Sequence, residues 1–264
     1  MTGSLTPVVK WLLIVNIAVY FIDLLNGHRT RALGSYAIES ALMEFRLWEF
    51  LTFQFLHGSV GHLLFNMVAL FFFGPYMERW WGSRKFLWFY LLSGCAGAVF
   101  FTLLTLAHIL PSGFESVLIG ASAGIYGILI GVGVIAPALR VALLFPPIEL
   151  SMRQLAIALM VISTVVILLG IGGNEGGEAG HLGGAILGYF LVRRPGWLGA
   201  GGPAAPPRHR RPQPPKLRPR STAFRDADDE VDRILEKISS EGFQSLSQEE
   251  RDILKKASER QDPP

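Results

Sequence analysis

Residues Gly120-Ala121-Ser122-Ala123-Gly124 form a G-x-S-x-G pattern, the spacing of an activated serine nucleophile. In a soluble hydrolase such a serine follows a β-strand. Here Ser122 opens an uncharged, glycine-rich apolar run that continues to Ala136 and reads as a membrane helix. A serine hydroxyl is a weak nucleophile at neutral pH and needs an adjacent base. His181, in the stretch EAGHLGGAILGY, is the candidate. A neutral imidazole can accept the serine proton and return it to a leaving amine. His62 and Asn66 are four residues apart and share one helix face. Both can donate to a developing oxyanion, where one donor contributes about 3–4 kcal/mol to transition-state stabilisation. No carboxylate lies within a span beside His181, so a Ser–His dyad is expected rather than a triad. Tyr126, one turn below Ser122, is placed to stack on the imidazole.

These residues need elements that bring them together. The chain has 264 residues, 50% of them hydrophobic and only 17% charged, with a mean hydropathy of +0.38. Soluble domains carry charges at nearer a quarter of their positions, so the composition points to a membrane protein. A spanning helix needs roughly 20 mainly apolar residues. Six segments answer to this: 8–25, 62–76, 86–107, 122–136, 152–171 and 179–192. Val117, Leu118 and Ile119 are candidates to lengthen the fourth, and short spans are viable inside a bundle. The fold expected is all-α: a six-helix membrane bundle followed by a small C-terminal helical hairpin.

Positive charge sets the orientation. Lys10, Arg79, Arg84, Lys85, Arg140, Arg153, Arg193 and Arg194 fall on one side if both termini are cytoplasmic. The loops after the third and fifth spans carry no Lys or Arg, only Glu115, Glu175 and Glu178. In this topology Ser122, His181, His57, His62 and Asn66 all lie at outer ends of inward-running helices. Polar groups inside the bilayer are costly and mark function, and three separate segments supply them at one depth. Glycines at 120, 124, 127 and 131, and at 184 and 188, form stripes that allow near contact between the fourth and sixth helices. Pressing those stripes together brings Ser122 beside His181. The glycine-rich loop GNEGGEAG before the sixth span reads as a flexible lid. No cleavable leader is expected.

Three domains are expected: a membrane domain at 1–194, a linker at 195–223 and a cytoplasmic hairpin at 224–264. The linker is rich in proline and arginine, with eight Lys/Arg and no acid between Arg193 and Arg220. It suits contact with anionic lipid heads rather than nucleic acid. In the hairpin, Val231, Ile234, Leu235 and Ile238 recur at helical spacing, Gly242 ends the helix, and Ser247 with Glu250 forms a capping box. It carries no catalytic constellation, and its partner is unknown.

Two other classes compete with this chemistry. His57, His62 and His181 could hold zinc, but there is no H-E-x-x-H and no carboxylate to complete such a site; no metal and no cofactor is expected. Six spans with buried polar groups would also suit a transporter, yet no inverted repeat is visible.

Taken together, GASAG at 120–124, GHLGGAILG at 180–188 and HGSVGHLLFN at 57–66 resemble the rhomboid family of intramembrane serine proteases, as do Glu78, Gly82 and Ser83. The resemblance covers residues 8–194. It implies Ser122 as nucleophile, His181 as base, and an oxyanion hole from His62, Asn66 and the Ser122 N–H, shaped by Gly120. Tyr126 would pack on His181. It further implies a multi-pass protein of the cell (inner) membrane whose substrates are single-pass membrane proteins, cut near or within the span. The first loop would lie partly in the membrane, with the fifth helix and the lid controlling access. A catalytically inactive relative that binds membrane proteins is the alternative. Three positions depart from the family pattern: Glu49 follows Trp48 where arginine is common, Phe53 stands where some members have histidine, and Ala123 replaces a common glycine.

Overall fold

The computed structural model describes residues 5–142, 147–199 and 222–261. It divides into two compact units, Met1–Pro207 and Arg208–Pro264. The first unit begins with α1 (Pro7–Leu25), followed by the short α2 (Arg29–Gly34), a π-helical turn (Glu39–Met43), α3 (Glu49–Thr52) and a 3-10 turn (Phe53–Phe55). Then come α4 (Val60–Trp81), α5 (Ser83–Leu106), α6 (Ser122–Ile135), a β-hairpin, α7 (Met152–Leu169) and α8 (Glu175–Arg193). By length and composition α1, α4, α5 and α7 can cross a membrane, while α6 is a shorter apolar helix. Their outer faces are openly apolar: Trp11, Phe65 and Leu168 are each more than 60% exposed. Large exposed apolar side chains of this kind suit contact with a membrane or another protein.

The core is aromatic and close-packed. Leu70, Phe86, Phe89, Tyr90 and Ile128 are fully buried where α4, α5 and α6 meet. A second cluster joins Tyr36, Phe53, Phe101 and Leu118. Glu78 near the end of α4 reaches the start of α1, where its carboxylate accepts the Val8 and Val9 N–H groups at 2.9 Å. The Ser83 hydroxyl donates to the same carboxylate at 2.6 Å. Helix N-terminal N–H groups have no partners within their own helix, so this acid from a distant helix fastens α1 to the α4–α5 turn.

Several local structures differ from the sequence reading. Residues 117–119 do not extend α6. Leu118 pairs antiparallel with Tyr36, and the Gly120 N–H donates to the Phe53 carbonyl at 2.9 Å. The loop between α6 and α7 contains two strands, β1 (Arg140–Ala142) and β2 (Glu149–Ser151), paired antiparallel. Ser151 and Gln154 then form a capping box that starts α7. The lid is shorter than expected, because α8 begins at Glu175 and absorbs all but the first two residues of the glycine-rich stretch.

Glu49 explains how the first loop is anchored without the usual arginine. Its buried carboxylate accepts the Ser40 hydroxyl at 2.6 Å and the Ala37 N–H at 3.3 Å, with Arg46 at 4.0 Å. Thr52 and Trp48 donate to the Gly34 and Leu33 carbonyls. Glu49→Ala strands the buried Ala37 N–H, which costs about 1–3 kcal/mol, and leaves the half-buried Ser40 hydroxyl only the Ala37 carbonyl at 3.4 Å. Faster amide exchange across residues 36–48, with α5 and α6 unchanged, is the expected readout.

In the second unit α9 (Thr222–Glu241) and α10 (Gln248–Gln261) flank a 3-10 turn at Phe243–Ser245. Gly242 takes φ +85° to end α9. Ser247 and Glu250 exchange the two capping-box bonds at 2.8 and 3.2 Å, and Lys237 on α9 reaches Glu250 at 3.1 Å. Ile234 and Leu246 are buried. Of the expected linker, only residues 195–199 and the first two of α9 lie within the described residues.

Candidate active site

Ser122 is the first residue of α6, and Ala121 is the N-cap. The serine therefore does not cap its own helix, which removes the ordinary structural reason for a serine there. The chain arrives in extended form, held to Tyr36 and Phe53, then turns at Gly120 with φ +123°. A side chain at Gly120 would strain that conformation. Its Cβ would also sit 2.7 Å from His62 Nε2 and 3.6 Å from Ser122 Oγ. The histidine ring and the serine hydroxyl thus flank the same point in space. As a first-turn residue, Ser122 has an N–H with no intrahelical acceptor, at the positive end of the α6 dipole.

Ser122, His181, His62, Asn66 and Tyr126 line one cavity of about 300 Å³, together with Asn174 and Gly177. Three helices, α4, α6 and α8, supply these residues, with Asn174 at the N-cap of α8. Ser59 caps α4, accepting the His62 N–H at 3.1 Å, and so sets the helix on which His62 and Asn66 share a face. One hydrogen of the Asn66 amide donates to the His62 carbonyl at 2.9 Å, leaving the other available. His181 projects from the second turn of α8. Its ring stacks on Tyr126 with centroids 4.0 Å apart and planes 13° from parallel. His57 is buried and does not line the cavity; it lies edge-on to His62 with ring centroids 5.0 Å apart. A larger groove of about 700 Å³ runs between α6, α7 and α8. It is mainly apolar and contains none of these residues.

The closeness of α6 and α8 comes from missing side chains. A Cβ on Gly184 would run into the Ala123 backbone, and one on Gly188 would lie 2.6 Å from Gly127 Cα. On the α5 side, a Cβ on Gly97 would meet the Ala123 Cβ at 2.6 Å. Backbone-to-backbone contact at these positions is what brings the Ser122 and His181 ends of the two helices together.

One neighbour of His181 escapes the sequence reading. Glu178 lies three residues earlier on α8, and its Oε2 is 3.0 Å from His181 Nδ1. The Ser163 hydroxyl of α7 donates to the same Oε2 at 2.5 Å. The dyad expectation rests on the lack of a carboxylate within a span beside His181; the start of α8 at Glu175 puts Glu178 on the helix and on the histidine's face. The available signal was the spacing of three residues between Glu178 and His181. Among the described residues no group of three or more His, Cys, Asp or Glu side chains is arranged to hold a metal ion. The arrangement offers a hydroxyl, an imidazole with one nitrogen directed at a carboxylate, and donors beside the serine. That set suits acyl transfer.

Comparison with known proteins agrees with this chemistry. The Rhomboid domain model matches residues 44–194, and a family of unknown function (DUF6576) matches residues 225–260. The chain is 28% identical over 191 residues to rhomboid protease GluP of Bacillus subtilis, covering 71% of this chain and 34% of that protein. It is 30% identical over 168 residues to RHOMBOID-like protein 4 of Arabidopsis thaliana, covering 61% and 39%. With rhomboid protease AarA of Providencia stuartii the identity is 28%, covering 68% and 69%. The chain thus spans little more than a third of the length of the first two relatives. The domain match takes in all the cavity-lining residues named above, and on that ground the chain belongs to the rhomboid family.

Proposed function

We propose that this chain is an intramembrane serine endopeptidase in which Ser122 is the nucleophile and His181 the general base. Six spans, α1, α4, α5, α6, α7 and α8, cross the cell (inner) membrane with both termini cytoplasmic. The observation that carries the reading is the shared cavity: a serine free of capping duty, a stacked histidine and two further donors line it together.

In this mechanism Ser122 Oγ attacks the scissile carbonyl carbon, and its proton passes to His181 Nε2. The oxyanion is met by the Ser122 N–H, His62 and the free hydrogen of Asn66. The tetrahedral intermediate collapses, and His181 hands the proton to the departing amine. Water, deprotonated by His181, then releases the acyl fragment and regenerates the serine. Peptide bonds in an intact spanning helix are shielded and hydrogen-bonded, so the substrate is a single-pass protein whose span unwinds locally.

The test reconstitutes the full chain in liposomes with a fluorescently labelled single-pass protein carrying Gly and Pro in its span. Two fragments cut near the outer end of that span are expected by mass spectrometry. An intact substrate, with solute flux across the same vesicles, would favour a transporter instead.

A further inference from the structure

The structure assigns Glu178 as the positioning residue for His181, a third member that fixes the imidazole's tautomer and offsets its charge during reaction. The inference rests on the Ser122–His181 reading and extends it. Glu178 and His181 are three apart on α8 and face the same side. An ionised carboxylate only accepts hydrogen bonds. With Oε2 at 3.0 Å, the proton of the neutral ring therefore belongs on Nδ1. Nε2 is left with its lone pair, the form a general base requires.

The carboxylate is itself held. Ser163 donates to Oε2 from α7, so the orienting group is fixed from a second helix. Tyr126 covers one face of the ring from α6. A ring flip would break the Glu178 bond, and a swing would break the stack. When the serine proton reaches Nε2, the imidazolium gains a carboxylate neighbour. The His181 and Glu178 side chains are only 14% and 15% exposed, so their attraction is weakly screened. The attraction exists only while the ring is charged, which makes it stronger in the transition state than in the resting enzyme. The other titratable groups facing this ring are His62 from α4 and Tyr126 from α6. Neither supplies a negative charge at neutral pH.

Glu178→Gln, Glu178→Asp and Ser163→Ala in the full chain, reconstituted with the labelled substrate, test this across pH 5 to 10. Glu178→Gln keeps an acceptor but removes the charge. It is expected to lower kcat about 10- to 100-fold with little change in KM, a loss of the size seen when a ligand's supporting carboxylate is removed. The acidic limb of its kcat/KM profile is expected to move to lower pH, because the imidazolium loses its counter-charge. Glu178→Asp restores the charge and is expected to return that limb towards wild type. Ser163→Ala is expected to show a smaller rate loss. Thermal melting of each variant is measured alongside. An unshifted limb in Glu178→Gln overturns the assignment, whether the rate is normal or falls only in step with a lowered melting temperature. Should Glu178→Gln not fold, Glu178→Ala, which also removes the charge, is read in its place, and an unshifted limb there overturns the assignment. Ser122→Ala separates the two levels. If it is inactive while Glu178→Gln behaves as wild type, only the positioning role is lost. If it still cleaves, the Ser122–His181 reading falls, and the positioning role falls with it.

Discussion

Ser122→Ala and His181→Ala are each expected to lower cleavage of a transmembrane substrate by about 10⁴-fold or more, to the limit of detection. The two act as a unit, so the double variant is expected to be no slower than either single one. Without the hydroxyl there is no acyl-enzyme; without the imidazole the hydroxyl keeps its proton. Neither truncation should disturb the fold. Ser122 is not the N-cap of α6, and α8 is held by contacts beyond His181, with Gly184 and Gly188 against α6 and Gly183 against α5. Melting temperatures within a few degrees of wild type, measured in the same detergent, are the control that makes the kinetic result interpretable. Persistence of cleavage in Ser122→Ala would assign the nucleophile elsewhere. A normal rate in His181→Ala would remove the base from the mechanism.

The grouping of Ser122, His181, His62 and Asn66 was legible because polar residues stand out in apolar runs. Alternating spans then fix which helix ends share a side. The glycine stripes were legible for a related reason: a side chain missing at regular helical spacing has few uses other than close approach. What stayed hidden depended on contacts across the chain. Glu178 looked like a loop acid because glycines at 170, 172, 173, 176 and 177 carry poor helix propensity. The helix forms there because tertiary packing overrides propensity; Gly176, for one, sits against Phe101. Leu118 looked like more of α6 because its pairing with Tyr36 has no local signature. Glu49 looked like a lost anchor, since only the fold shows that Ser40 and the Ala37 N–H surround it. Elements of three to six residues, such as α2, α3 and the two strands, are too short for hydrophobic periodicity to reveal.

Gly184→Val is expected to damage activity severely, by a different route from removing a catalytic side chain. The Gly184 Cβ position is already occupied by the Ala123 backbone. Backbone cannot step aside as a flexible side chain can, so α8 must move away from α6. Overpacking a well-filled interior costs about 1–3 kcal/mol, and a β-branched residue against backbone belongs at or above the top of that range. The displacement matters more than the energy. Gly184 lies one turn from His181, and Ala123 is the residue after Ser122, so the shift opens the gap between hydroxyl and imidazole directly. Misplacement by about 1 Å costs about 10²-fold in rate. Gly184→Val is therefore expected to lose at least that much activity and to melt several degrees lower, while Gly184→Ala shows a smaller loss of both. Gly196→Ala, where nothing lies within 4 Å of the added carbon, is the matched control and should change neither. Wild-type cleavage by Gly184→Val would mean that the α6–α8 contact does not set the distance on which the reaction depends.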